Sequence, residues 1–235
     1  MTLRDAVVVL AGAGGGAGPA VARRLATAGA TVILAGRDRA SLSALESEIN
    51  AGGGAAHAVE VDLLDAAAVT RWAQGVDSDF GHVDGLVHLV GGWRGGKGIT
   101  EADLADWDWL SDRLVRTVQH TSRAFHDALR ASDRGRFVLV SSAEASRPTA
   151  TNASYAAAKA AAEAWTLAVA DSFRGSKAAA AIVVVKALVT PAMRAAKPDA
   201  KFAGFTEVAV LADIVADLWA KSATDVNGER VWLTT

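Results

Sequence analysis

Hydrophobic and polar positions along the chain follow two alternating patterns, which predict strands and helices in turn. Short, almost uninterrupted apolar runs, such as 6–11 and 31–35, are typical of parallel strands buried on both faces. Longer segments with apolar residues at helical spacing follow these runs, and glycine stands after the first two of them. The predicted strands are 6–11, 31–35, 58–61, 85–90, 137–140, 180–185 and 230–233, and the predicted helices are 19–28, 41–50, 69–74, one or two within 101–131, 155–173 and 213–220.

This order of elements predicts a single domain of the α/β class over residues 1–235. Seven strands joined by helical crossovers imply a doubly wound parallel sheet of the Rossmann type, with helices on both faces. Neither a linker, nor an internal repeat, nor a shift in composition divides the chain. Ligands of such sheets bind at the carboxyl ends of the strands, so candidate chemistry is expected there.

The composition and net charge indicate which kinds of partner the protein binds and which cell compartment it occupies. Of the 235 residues, 51% are hydrophobic and 21% are charged, and the formal net charge is -2. A field this weak predicts neither a nucleic-acid partner nor a membrane partner, and no apolar run is long enough to span a bilayer. The chain has no cysteine and its start lacks the features of a secretion signal, which favours a cytoplasmic protein. The histidines and carboxylates show no metal-ligand spacing, so no metal is predicted.

A cluster of glycines separates the first predicted strand from the first predicted helix. Glycine allows the backbone to turn tightly there and to approach a pyrophosphate, which the free N–H groups of the helix then bind. A flexible turn without a ligand is the alternative interpretation. The strand, cluster and helix in this order favour phosphate binding, and the assigned glycines are Gly12, Gly14, Gly15, Gly16 and Gly18.

The residues after the second and third strands bear on which dinucleotide binds. Gly36 stands where an acid would contact the ribose of NAD, and Arg37 follows it, so NADP(H) is favoured while NAD(H) stays possible. Alternatively, Arg37 is a solvated loop charge. Asp62 is interpreted either as a hydrogen-bond partner near the adenine or as the N-cap of the next helix. Three more residues at strand ends are assigned to the cofactor site: Leu63, Val90 and Gly91.

Tyr155 and Lys159 form the candidate catalytic pair. Their spacing of four places both side chains on one face of a predicted helix. An ammonium group favours the phenolate, so we expect Lys159 to lower the pKa of Tyr155 and to make it a usable acid or base. Tyr155 is the only tyrosine of the chain, and a pair of serines, Ser141 and Ser142, follows a strand shortly before it.

Three elements together resemble the short-chain dehydrogenase/reductases over nearly the whole chain. They are the spacing Gly12-x-x-x-Gly16-x-Gly18, the strand ending Val140-Ser141-Ser142, and Tyr155-x-x-x-Lys159. The resemblance implies that Ser142 polarises the substrate oxygen and that Tyr155 donates a proton to a carbonyl while hydride arrives from the cofactor. It also implies that Lys159 holds the ribose, and that the chain forms a homodimer or homotetramer through the helix that carries Tyr155 and Lys159.

The chain departs from the pattern of that family at three places. His88-Leu89-Val90-Gly91 replaces the family's Asn-Asn-Ala-Gly, and Leu114 stands where a helical asparagine completes a proton relay through water. Lys186-Ala187 replaces a Pro-Gly pair. The proton relay is therefore expected to be shortened or rebuilt, and His88 is interpreted as a structural histidine bonded to the backbone.

The loop from Val90 to Gly96 resembles the glycine-tryptophan loop of the dihydropteridine reductases, an atypical branch of the same superfamily. Residues 190–206 are similar to the short substrate lid of that branch. The resemblance suggests Trp93 and Met193 as substrate residues, with loop packing as the alternative for Trp93, whereas Trp107 and Trp109 are expected to pack. Gly36-Arg37 and Ser142 depart from that branch, which prefers NADH and generally lacks the serine.

Three functions remain open from the sequence. The leading hypothesis is an NAD(P)H-dependent short-chain oxidoreductase that acts on a small carbonyl, alcohol or cyclic substrate, with Tyr155 as general acid and base. The second is an enzyme similar to quinonoid dihydropteridine reductase. The third, of another class, is a nucleotide-binding protein whose catalysis has decayed, as the lost relay asparagine suggests.

Overall fold

A parallel sheet of seven strands forms the centre of the molecule, which confirms the predicted fold class. The computed structural model describes residues 3–233. The order across the sheet is β3-β2-β1-β4-β5-β6-β9, so the direction of winding changes between β1 and β4. In chain order the strands are β1 (Val7–Ala11), β2 (Thr31–Gly36), β3 (Ala55–Glu60), β4 (Gly85–His88), β5 (Arg136–Ser142), β6 (Ala179–Val185), the short pair β7 (Leu188–Val189) and β8 (Thr206–Glu207), and β9 (Arg230–Trp232).

Helices cover both faces of the sheet. Because successive side chains of a strand point to opposite faces, Val8 and Leu10 of β1 pack on one side, and Val7 and Val9 pack on the other. The first side is closed by α1, α2 and α8, and the second by α3, α5 and α6. The described helices are α1 (Gly18–Thr27), α2 (Arg39–Ala51), α3 (Ala66–Phe80), α4 (Ala105–Ser111), α5 (Thr117–Ala131), α6 (Ala153–Ser172), α7 (Pro191–Ala196), α8 (Val208–Asp217) and α9 (Ala223–Val226).

A π-helical turn, Asp112–Arg116, joins α4 to α5 without a break in the chain's helical path. The N–H of Thr117 donates to the carbonyl of Asp112, five residues earlier, instead of to the usual fourth. A π-helical turn holds one residue more than an α-helical turn, which changes the direction of the side chains before and after it. Leu114 lies in this turn and is buried against Leu110 and Ala158. Leu114 therefore contributes an apolar contact where the family's asparagine would contribute a polar one.

Several predicted boundaries differ from the structure. The strand predicted over 85–90 ends at His88, because the chain turns there toward the glycine loop. The helix predicted over 213–220 begins earlier, at Val208, and its last turn is a 3-10 turn, Leu218–Ala220. The β7–β8 pair has no counterpart among the predicted strands, since each partner is only two residues long. Within residues 3–233, the structure holds no helix long and apolar enough to cross a membrane.

Candidate active site

The predicted phosphate-binding glycines perform different tasks in the loop after β1. Gly12 has a φ of +87°, and a Cβ there would lie 2.9 Å from the backbone nitrogen of Val90. Gly18 begins α1, where a Cβ would lie 2.0 Å from the carbonyl oxygen of Ala13, so only glycine lets the helix start this close to the loop. A Cβ at Gly14 would meet open space among the described residues, and a Cβ at Gly16 would lie 3.4 Å from the Thr190 methyl group. Gly12 and Gly18 therefore allow close packing of the loop, whereas Gly14 leaves room for a ligand to approach it.

A cavity of about 480 Å³ opens beside this loop, at the carboxyl ends of β1 to β4. It brings together most residues that the sequence assigns to a cofactor, although Gly16, Gly18 and Lys159 do not line it. Four lining residues from the α4–α5 region were not predicted, because nothing in their spacing marks them as facing a ligand. The predicted residues are Gly12, Gly14, Gly15, Arg37, Asp62, Leu63, Val90 and Gly91, and the unpredicted ones are Trp109, Asp112, Arg113 and Thr117.

Carboxylates at this edge of the sheet are already engaged by the backbone or by other side chains. Asp38 caps α2, where Ser41 donates its N–H at 3.2 Å and its hydroxyl at 2.5 Å, and the hydroxyl bond lowers the pKa of Asp38. Asp62 accepts the N–H of Leu64 at 3.0 Å. The alternative that Asp62 caps α3 is wrong, because Asp65 is the N-cap of that helix and accepts two N–H groups at 2.9 Å.

Trp109 contacts two arginines and also lines the cavity. The guanidinium carbons of Arg94 and Arg113 each lie 4.3 Å from its ring centroid, within cation–π distance. A Cβ at Gly92 would lie 2.5 Å from the Trp109 ring, so the loop after β4 lies directly on the indole. The expectation that Trp109 packs is confirmed, whereas Trp107 is 39% exposed and the same expectation for it is wrong. Trp93 is 56% exposed and stands outside the residues that line this cavity.

The three candidate catalytic side chains come from β5 and the first turns of α6. Ser142 ends β5, and its hydroxyl oxygen accepts the N–H of Glu144 at 3.3 Å. Tyr155 packs against Leu114 and Ala158 in a small apolar cluster. Burial raises the pKa of Tyr155 above its usual value, the adjacent Ser142 hydroxyl lowers it in part, and Glu144 raises it. Lys159 is not among the groups that shift this pKa, so the expectation that Lys159 lowers the pKa of Tyr155 is wrong.

Lys159 is fully enclosed and donates from Nζ to the carbonyl of Val140 at 3.0 Å. Burial lowers its pKa to about 8, and Glu163 opposes that change. Glu163 is itself buried, accepting the Ser141 hydroxyl at 2.6 Å and the Arg230 Nε at 2.8 Å. Glu163 was not predicted, although its position four residues after Lys159 was a usable signal. The buried carboxylate helps Lys159 to keep its charge at neutral pH.

His88 occupies the end of β4 and is 1% exposed. Its interpretation as a histidine bonded to the backbone is wrong, since neither ring nitrogen has a hydrogen-bond partner among residues 3–233. Burial lowers the pKa of His88 to about 3, with a further contribution from the Lys159 charge. The Thr117 backbone opposes the shift weakly, from outside hydrogen-bonding geometry. The imidazole is therefore neutral in the folded protein at ordinary pH.

We expect His88 to make the fold sensitive to acid. The unfolded state takes up a proton on this histidine below pH about 6.5, whereas the folded state does not until about pH 3. The free energy of unfolding therefore falls as the pH decreases from about 6.5 toward 3, by at most about 1.4 kcal/mol per pH unit from this group. Urea unfolding at pH 7.5 and pH 5 is the measurement, and His88→Leu is expected to show a smaller loss between the two.

The control for this prediction is His57→Leu, because His57 is exposed on β3. That variant is expected to lose as much stability between pH 7.5 and pH 5 as the unaltered protein. Equal losses in the His88 variant and the unaltered protein would contradict the assignment of the acid sensitivity to His88.

Residues 190–206, predicted as a lid, carry α7 and are held at both ends. Thr190 caps α7 by accepting the N–H of Met193 at 3.1 Å. Arg194 donates from Nε to Glu207 at 2.6 Å, and the β7–β8 pair joins the two ends of the segment. Met193 is 38% exposed. The segment is thus a small folded flap, anchored at its base beside Gly16 of the glycine loop.

The chain matches a known protein family over most of its length. Residues 6–201 match the family of short chain dehydrogenases. The chain therefore belongs to the short-chain dehydrogenase/reductase family. An uncharacterised oxidoreductase of Staphylococcus epidermidis is 30% identical over 164 residues, which are 70% of each chain. The short-chain reductase protein NovJ of Streptomyces niveus is 33% identical over 66% of this chain and 59% of that protein.

Solved structures agree with this assignment. A metagenomic short-chain oxidoreductase in complex with NADP is 29% identical and superposes with a TM-score of 0.81, covering 100% of both chains. A short-chain type dehydrogenase/reductase from Mycobacterium ulcerans has a TM-score of 0.89 at 24% identity, over 99% of this chain and 90% of that one. The chain is thus an oxidoreductase of this family by sequence and by fold.

Proposed function

We propose that this family member is an NADPH-dependent reductase of a small carbonyl or cyclic substrate, or the corresponding dehydrogenase in the reverse direction. The observation that carries the proposal is the position of Ser142, Tyr155 and Lys159, which lie at the same edge of the sheet as the glycine loop. Two hydroxyls lie side by side there, and a buried ammonium lies one helical turn further on. This set suits hydride transfer to a polarised carbonyl.

The residues around the cavity fit a nicotinamide dinucleotide. Gly12 and Gly14 leave room for a pyrophosphate to approach the backbone, and the start of α1 offers free N–H groups. Asp62 and Leu63 line the side where an adenosine would lie. Arg37 supports NADP over NAD, in keeping with the related oxidoreductase that was solved in complex with NADP. When bound, the cofactor would supply or accept the hydride.

In the proposed mechanism the chain donates one proton to the substrate and makes two contacts that orient the substrate and the cofactor. Ser142 donates a hydrogen bond to the substrate oxygen and stabilises the negative charge that develops on it. Tyr155 gives its phenolic proton to that oxygen, and its raised pKa keeps the proton in place until the transfer. Lys159 uses one N–H for the Val140 carbonyl, so two N–H groups remain for the hydroxyls of the cofactor ribose.

Pterin-type reduction is the second candidate, and the loop after β4 is the observation that favours it. Trp93 is exposed between glycines, and Gly92, Gly95 and Gly96 all have positive φ values. The exposed indole of Trp93 offers a flat face on which a planar ring can stack. In that case Trp93 and Met193 would contact the substrate from two sides, and the flap at 190–206 would serve as its lid.

Turnover with paired cofactors tests the proposed function. The purified protein is assayed with NADPH and with NADH against small ketones, aldehydes and quinonoid dihydropterin. Oxidation of NADPH by a carbonyl substrate is the expected result. Turnover of the pterin alone would replace the first candidate by the second. Tight NADPH binding without any turnover would instead support a decayed nucleotide-binding protein.

We further propose that residues 1–235 form one domain that assembles with copies of itself in the cytoplasm. Small side chains on the exposed face of α6, at Ala157, Ala160, Ala164 and Ala168, allow close approach of another helix. Trp165 lies beside them and donates from Nε1 to Ser122 of α5 at 2.9 Å. Light scattering of the purified protein is expected to give the mass of a dimer or tetramer.

A further inference from the structure

Two arginines line the cofactor cavity without a carboxylate partner. Arg37 follows β2, and Arg113 lies in the π-helical turn on the other side of the cavity. Among residues 3–233, neither guanidinium has an Asp or Glu within ion-pair distance, whereas Arg94, which also contacts Trp109, pairs with Asp106 at 3.3 Å. Within the described residues, both guanidinium groups at the cavity therefore lack a paired carboxylate.

Three acids line the same cavity, and none of them forms an ion pair with Arg37 or Arg113. Asp38 is engaged by Ser41, Asp62 accepts the Leu64 N–H, and Asp112 pairs with Arg116 at 3.0 Å. Each carboxylate thus has a partner away from the two guanidinium groups. The two guanidinium groups are thus left to bind an anionic ligand, and a dianion can bind both at once.

Arg113 is held in position rather than free in solvent. Its guanidinium stacks on Trp109, and Trp109 is in turn covered by the loop at Gly92. Burial lowers the pKa of Arg113, and repulsion from Arg37 and Arg94 lowers it further, so like charges are close enough to oppose one another. Two guanidinium groups close together, with no carboxylate paired to either among residues 3–233, suit an anionic ligand.

We propose that Arg113, together with Arg37, binds the 2′-phosphate of NADPH, and that Arg113 is a specificity-determining residue for the phosphorylated cofactor. The inference rests on the proposed binding of a dinucleotide in this cavity. A phosphate monoester carries about two negative charges near neutral pH and offers three acceptor oxygens, enough for two guanidinium groups. The loop after β2 and the π-helical turn would then hold the adenosine end of the cofactor from opposite sides.

Calorimetric titration with NADPH and NADH tests this assignment. Arg113→Gln is expected to weaken NADPH binding at least about tenfold and to change NADH binding less than about twofold, since each charge-assisted contact contributes on this scale. Arg37→Gln is expected to show the same selectivity. Arg113→Lys keeps the charge without the planar fork, so an intermediate loss is expected.

Arg94→Gln is the matched control, because the Arg94 guanidinium also lies 4.3 Å from the Trp109 ring centroid but Arg94 does not line the cavity. It is expected to leave both affinities unchanged. Equal weakening of NADPH and NADH by Arg113→Gln, or no weakening of either, would overturn the assignment. Failure of the unaltered protein to bind either dinucleotide would instead overturn the proposed function itself. If Arg113→Gln does not fold, Arg113→Lys decides by the same two affinities.

Discussion

Tyr155→Phe is expected to reduce turnover by about a hundredfold to ten-thousandfold, the usual contribution of a general acid. The substitution removes only the phenolic oxygen, and the ring still fills its place against Leu114 and Ala158. No other tyrosine exists in the chain to replace the lost proton donor. The measurement is the rate of NADPH oxidation at saturating substrate.

Two controls separate chemistry from folding in this experiment. The affinity for NADPH is expected to stay the same in Tyr155→Phe, because the phenol lies outside the cavity that would hold the adenosine end. Ser154→Ala, which removes a hydroxyl from the neighbouring position, is expected to keep full turnover. A Phe variant with full activity would refute the role of Tyr155 as acid.

Gly18→Ala is expected to produce the largest loss of stability among single substitutions in the glycine loop. The new Cβ would lie 2.0 Å from the Ala13 carbonyl oxygen, so the loop and α1 must move apart. Overpacking of this kind costs about 1–3 kcal/mol. The melting temperature is expected to fall by about 2–4 °C per kcal/mol lost in a chain of this size.

Gly14→Ala provides the matched comparison, because it adds the same methyl group in the same loop. Within residues 3–233, nothing lies within 4 Å of a Cβ at Gly14. Thermal unfolding without cofactor is therefore expected to be unchanged in this variant. Equal destabilisation by both substitutions would show that the loop tolerates no side chain for reasons other than contact with Ala13.

The parallel sheet was predictable because strands buried on both faces leave almost uninterrupted apolar runs in the sequence. The runs at β1, β2 and β6 are such signals, and the glycine cluster marks the point where a ligand approaches. The adjacency of Ser142 and Tyr155 depends on bringing β5 beside α6. It was expected from family resemblance, since spacing along the chain says little about that contact.

Other features of the site were not predictable, since they depend on contacts between distant segments. The π-helical turn has no mark in the sequence, yet it decides which side chains of Asp112–Arg116 face the cavity. The lack of hydrogen-bond partners for His88 among residues 3–233 depends on which segments pack around the end of β4. The raised pKa of Tyr155 likewise depends on burial, which the spacing to Lys159 does not report.

The short last strand has a consequence for anyone who shortens this chain. Arg230 binds the buried Glu163 on the helix that carries Tyr155, and the Leu233 carbonyl accepts the Thr206 hydroxyl at 3.1 Å, at the base of the flap. A cut by a protease before residue 230 would release both connections at once. Activity would then be lost while every residue proposed to touch cofactor or substrate stayed on the remaining fragment, which makes the integrity of this tail the first thing to check in an inactive preparation.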